Sequence, residues 1–185
     1  MLDLRKIDNK WTLFLDRDGV LNHDKPDSYI FNPAEFRFYD GVLDSMEFFA
    51  ARFRRIILVT NQRGVGRGLM TEDALMEIHG DMMKSIRAAN GRIDQIYYCT
   101  STDNTHPNRK PNPGMALQAK KEFPDIDLNR SIMVGNNLSD MKFGRAAGMF
   151  TVFLKTTIPD VELPDKDIDL AFDALDDFAK ALLKP

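Results

Sequence analysis

The chain has 185 residues, 43% of them hydrophobic and 29% charged, with a formal net charge of -3. That length and balance suit a single globular domain over residues 1–185, and the acidic surplus excludes a general electrostatic grip on nucleic acid while leaving room for a small anionic ligand. The only cysteine, Cys99, excludes an internal disulfide framework; with no apolar run suited to a signal peptide or a bilayer span, the expectation is a cytoplasmic protein without membrane contact.

The first predicted strand, residues 11–15, runs into Asp16-Arg17-Asp18-Gly19. Side chains of an extended chain alternate faces, so Asp16 and Asp18 point the same way, and Gly19 lets the backbone turn sharply beyond them. Two crowded carboxylates repel unless a cation joins them, so the pair implies Mg²⁺ and offers a nucleophile beside an acid. A helix follows, with Val42, Leu43, Met46, Phe49, Ala50 and Phe53 on one face.

The second strand, residues 56–60, flows into a glycine-rich loop from Thr60 to Gly68. Backbone N–H groups and the Thr60 hydroxyl could hold phosphate oxygens there, although the glycine spacing fits neither a P-loop nor a dinucleotide fingerprint, and a plain polar turn is the ordinary alternative. The next helix carries Leu75, Ile78, Met82, Ile86 and Ala89 on one face, with Thr71 to cap it and Gly91 to end it.

After a third strand, residues 96–99, comes Arg109-Lys110-Pro111-Asn112-Pro113, where two prolines stiffen the backbone around a lysine and make it a candidate fixed charge. Asn112 is expected to cap a helix that opens at Pro113 and runs to about residue 123. The fourth strand, residues 132–135, ends in Asn136-Asn137-Leu138-Ser139-Asp140, where Asn136 and Asp140 face one direction if the helix starts promptly; capping by these polar residues is the competing explanation. That helix should reach Ala147 and stop at Gly148. A fifth strand, residues 151–154, precedes the acid-rich stretch 160–177, which lacks the glycine of a calcium loop and reads as a solvated loop with a closing edge strand and helix.

Strands and helices alternating at these lengths predict an α/β fold, a Rossmann-like open and mostly parallel sheet with helices on both faces. Ligands of such sheets lie beyond the carboxyl ends of the strands, where all four polar clusters fall.

The clusters resemble the haloacid dehalogenase-like superfamily of phosphatases over nearly the whole chain: a DxD-Gly motif, a strand-terminal threonine, a lysine and a terminal acidic motif. Within it, DRDGVLN from Asp16, TNQRGVGRG from Thr60 and RKPNPGM from Arg109 look most like the heptose bisphosphate and histidinol-phosphate phosphatases. The resemblance implies hydrolysis of a small phosphorylated metabolite, a sugar phosphate first of all, with Asp16 as nucleophile, Asp18 as general acid and base, and Lys110 offsetting charge. It further implies phosphate or substrate contacts from Thr60, Asn61, Gln62, Arg67 and Arg109, and Mg²⁺ held by Asp16, Asp18, Asn136 and Asp140. The spacing leaves little room for a cap domain, and the protein is expected to be a monomer or small homo-oligomer.

Three departures stand out. Asn136 replaces the usual aspartate of the fourth motif, which predicts weaker metal binding. Of a zinc-holding loop common in these relatives only Cys99 and His106 remain, with Ser101 and Asn108 at the other places, so a zinc site is not expected. Arg63 stands where a small residue is common, as an extra phosphate contact or a solvated charge. Neither His23 nor His79 is marked for chemistry; His79 reads as a core or surface residue. Histidinol phosphate, a nucleic-acid 3′-phosphate end, or binding of a phosphorylated ligand without turnover remain alternatives.

Overall fold

In a computed structural model, which describes residues 2–183, six parallel strands form one sheet. They are β1 (Thr12–Leu15), β2 (Arg55–Asn61), β3 (Gln95–Cys99), β4 (Ser131–Gly135), β5 (Phe150–Leu154) and β6 (Leu170–Phe172), in the spatial order β3-β2-β1-β4-β5-β6. The helices are α1 (Val42–Arg52), the short α2 (Arg63–Gly66), α3 (Glu72–Ala88), α4 (Gly114–Glu122), α5 (Leu138–Ala146) and α6 (Leu175–Leu183).

Strand alternation divides the core between the two faces. Leu13, Leu15, Ile56, Leu58, Ile132 and Val134 pack against α1, the end of α3 and α6, whereas Phe14, Ile57, Val59 and Met133 pack against α4 and α5. Each fully buried side chain of this kind contributes about 1.5–3 kcal/mol through lost apolar surface. β1 is hydrogen-bonded on both edges, to β2 and to β4, and buried on both faces. The residue that follows it therefore starts from an immobile platform: the Asp16 N–H still donates to the Val134 carbonyl.

From β1 the chain proceeds outward one way to β2 and β3, then returns to β4 on the other side of β1. This reversal opens a crevice beyond the carboxyl ends of β1 and β4. No domain-sized insertion covers it among the described residues. Between β1 and α1 there is only an irregular flap with a 3₁₀ turn at Pro33–Glu35, tied down by the tilted packing of His23 on Tyr39 and the edge-on contact of Phe36 with Phe38.

Two local expectations are corrected. Asn112 does not cap α4: Pro113 takes the cap position, and the Asn112 amide instead donates to the carbonyls of Asn104 and His106. The left-handed residue ending α3 is Asn90 (φ 58°) rather than Gly91, which is held between Ile86 and Met46 where a methyl group would crowd both. Thr71 does cap α3 by accepting from the Ala74 N–H, and Gly148 (φ 83°) follows α5 as expected.

Candidate active site

A cleft of about 320 Å³ lies at the strand ends, and among its walls are Asp16, Asp18, Thr60, Asn61, Arg109, Lys110, Asn136 and Asp140. Residues from four separate stretches of sequence thus meet in one place. At the centre is a buried ion cluster. Lys110 Nζ lies 2.9 Å from Asp16 Oδ1 and 2.7 Å from Asp140 Oδ1, and donates to the Val59 carbonyl at 2.9 Å, which uses all three ammonium hydrogens.

The Asn61 side chain holds the lysine's backbone in the manner of a neighbouring strand. Its Oδ1 accepts from the Lys110 N–H and its Nδ2 donates to the Lys110 carbonyl, both at 3.1 Å. Burial pulls the lysine's pKa down, but the carboxylates of Asp140 and Asp16 outweigh it and keep the ammonium charged above its ordinary range.

Asp16 accepts from the Arg17 N–H and from Lys110, both through Oδ1, so Oδ2 is its oxygen without a partner among the described residues. Burial pushes its carboxyl up to about 7; Lys110 pulls downward and Asp140 adds to the rise. A bound cation would draw the same carboxyl back toward its ionised form.

Asp18 lives in a different environment. The Arg17 guanidinium grips it through Nε and Nη2, while Asn22 and Gln62 donate to its two oxygens at 2.9 and 3.0 Å. Burial raises its pKa, but the Arg17 charge and these hydrogen bonds overcome that and hold the carboxyl below the usual range. Arg17 is itself fully buried and makes a further contact with His79 Nε2.

Gln62 therefore does not line the cleft as a phosphate ligand. Its amide is buried and committed to Asp18, Thr60 and Arg17. Arg67 also stands outside the cleft wall and donates to the Tyr29 hydroxyl, whereas Arg109 reaches the wall. The Arg63 guanidinium donates to Asn104 Oδ1 and the Thr102 carbonyl and so braces the 101–109 loop. His106 Nδ1 of that loop lies 3.7 Å from Cys99 Sγ at the end of β3, the Ser101 hydroxyl accepts from the Asp103 N–H, and the Asn108 N–H donates to His106.

The fourth motif splits its labour. Asp140 accepts from the N–H groups of Asn136 and Asn137 through Oδ2, closing a capping box with Asn137, and reaches Lys110 through Oδ1. Both oxygens are engaged, so its contacts favour an anchor for the lysine over a direct metal ligand. Gly135 is required beside it, because a Cβ there would run into the Asp140 side chain. Asn136 donates to Thr157 Oγ1 at 2.6 Å, while its Oδ1 is buried without a partner among the described residues. A leftover acceptor in the cleft wall beside two carboxylates suits a hard, oxygen-seeking cation. Gly19 (φ 81°) packs so tightly on Asn136 that any side chain would strike its amide.

Sequence reasoning missed the rim of the cleft, formed by Asp24, Lys25, Ser28, Tyr29 and Ile30 from the flap together with Ser139 and Thr157. Apart from Ser139, which lies inside the fourth cluster, no motif marks these residues. The flap's composition alone, charged and aromatic side chains in a segment without helix or strand periodicity, was the available signal.

A family model described as HAD-hydrolase-like matches residues 107–181. A Campylobacter jejuni D-glycero-alpha-D-manno-heptose-1,7-bisphosphate 7-phosphatase is 40% identical over 142 residues, 77% of this chain and 80% of the relative. The chain belongs to the haloacid dehalogenase-like hydrolases. Another member, the beta-anomer 7-phosphatase of Pasteurella multocida, is 35% identical over 94% of this chain and 97% of its own length. Among solved members, a D,D-heptose 1,7-bisphosphate phosphatase from B. bronchiseptica, complexed with magnesium and phosphate, superposes with a TM-score of 0.83 at 29% identity, over 94% of this chain and 98% of that one.

Proposed function

We propose that the chain is a magnesium-dependent phosphomonoesterase acting on a heptose 1,7-bisphosphate through an aspartyl-phosphate. The observation that carries this reading is the contrast between its two aspartates, one placed against Lys110 with a free oxygen and the other gripped by Arg17, Asn22 and Gln62. In the first step Asp16 Oδ2 forms a bond to phosphorus as the bond from phosphorus to the sugar oxygen breaks, and Asp18 gives that oxygen its proton. The phosphate dianion brought beside Asp18 opposes the Arg17 charge and raises the carboxyl's affinity for that proton. In the second step ionised Asp18 takes a proton from water, whose oxygen attacks phosphorus and frees Asp16 and inorganic phosphate.

Thr60 Oγ1 already accepts from Gln62, which leaves its O–H to donate to a phosphoryl oxygen. Asp16, the Asp18 main chain and Asn136 Oδ1 would hold Mg²⁺, which when bound neutralises the repulsion between carboxylate and phosphate. Arg109 and Lys25, at the mouth of the cleft, supply positive charge for the part of the substrate that does not react. A cytoplasmic location is part of the same reading and agrees with a buried, unpaired Cys99.

The test is phosphate release from both anomers of heptose 1,7-bisphosphate, with histidinol phosphate and nucleotides as competitors, by wild type and Asp16→Asn. We expect turnover that EDTA abolishes and that drops by roughly a thousandfold or more in the variant. Full activity of Asp16→Asn would exclude the proposed nucleophile, and preference for histidinol phosphate would redirect the substrate assignment.

A further inference from the structure

His79 lies on α3, away from the cleft wall, and yet touches the catalytic machinery. Its Nε2 is 3.2 Å from Arg17 Nη1, and Arg17 holds Asp18 through Nε and Nη2. Guanidinium groups only donate, so Nε2 must accept and the ring proton resides on Nδ1. Burial, reinforced by the Arg17 charge, pushes the histidine down to about 3, which keeps the ring in this neutral form.

Nδ1 has no partner among the described residues, although the ring is buried. A leucine would fill the same core position without leaving a polar group unpaired, so packing by itself does not account for a histidine here. What the imidazole adds is an acceptor for the one face of a fully buried guanidinium that Asp18 and Gln62 do not cover.

We propose that His79 is a positioning residue: it fixes the Arg17 guanidinium, and through it the orientation of the Asp18 carboxylate for proton transfer to the leaving group. Loss of that acceptor lets a buried charge seek another partner, and Asp18 moves with it. The kinetic consequence rests on Asp18 acting as the general acid, as proposed above; the structural consequence does not.

The experiment compares His79→Leu, which removes the acceptor, with His79→Gln, whose amide oxygen can restore it. Two substrates are used, heptose 1,7-bisphosphate with a poor alkoxide leaving group and p-nitrophenyl phosphate with a good one. For His79→Leu, kcat/KM should fall roughly ten- to a hundredfold on the sugar and by less than about threefold on the aryl ester, with the glutamine variant close to wild type on both. Equal losses on both substrates that glutamine does not restore would reduce His79 to a packing role and overturn the proposal, as would unchanged sugar turnover. A crystal structure of His79→Leu gives the independent arm: the Arg17 guanidinium should shift from its wild-type position and carry the Asp18 carboxylate with it, and an Arg17–Asp18 pair that keeps its wild-type position sinks the inference whatever the rates. If wild-type turnover proves independent of Asp16, the functional reading fails while this structural arm still decides the role of His79.

Discussion

The floor of the cleft and its rim are built on opposite principles. The floor consists of Asp16, Lys110, Asp140 and the side chains behind them, nearly all buried and tied to one another at the carboxyl ends of a packed sheet. The rim consists of the 24–30 flap, Ser139, Thr157 and Arg109 with the 101–109 loop behind it, largely exposed and held by a few arginine and asparagine contacts. Catalysis of phosphoryl transfer needs fixed charges, which a packed sheet provides at no reorganisation cost. Substrate choice needs variable contacts, which loops provide without disturbing the core.

The comparison can be broken most severely at the floor. Lys110→Met leaves Asp16 and Asp140 facing each other without a counter-charge, and we expect activity to drop roughly a thousandfold together with a loss of about 3 kcal/mol in a denaturant titration. An intermediate effect is expected for Asn61→Ala, which strips the Lys110 main chain of both its hydrogen bonds; about 1–3 kcal/mol of stability should go, and kcat should decline with KM nearly unchanged. Stability untouched by this substitution would show that the prolines alone hold the lysine.

At the metal end, Asn136→Asp replaces a neutral oxygen with a charged one. Calorimetry should show Mg²⁺ binding tightened by roughly tenfold, and unchanged affinity would remove Asn136 from the metal shell. The smallest effect belongs to the rim: Arg109→Ala should raise KM by about fivefold for a bisphosphate with kcat preserved, because it removes binding shared by ground and transition states. A fall in kcat of the same size would move Arg109 from the rim to the floor.

The strands, most helix ends and the four polar clusters were legible because they rest on short-range rules: side-chain alternation, cap residues and the φ of glycine and proline. Which partner each polar side chain takes outside its own cluster was not legible in this way. Gln62 sits inside a phosphate-loop pattern, yet Asp18, 44 positions earlier, claims its amide. Asp140 has the spacing of a metal ligand, yet its oxygens go to Lys110 and to the turn it caps. Asn112 looks like a helix cap, yet two carbonyls of the preceding loop take its amide.

By itself the sequence determined the parallel α/β architecture, the clustering of polar residues at the ends of four strands, and the residue types available for phosphoryl chemistry. Only the tertiary structure decided which of those side chains face the cleft and which stand behind them, as Asn61 stands behind Lys110 and His79 behind Arg17. The physical reason is that secondary structure is set by neighbours a few positions apart. The direction of a buried polar side chain is instead set by whichever distant donor or acceptor satisfies it once the sheet has closed.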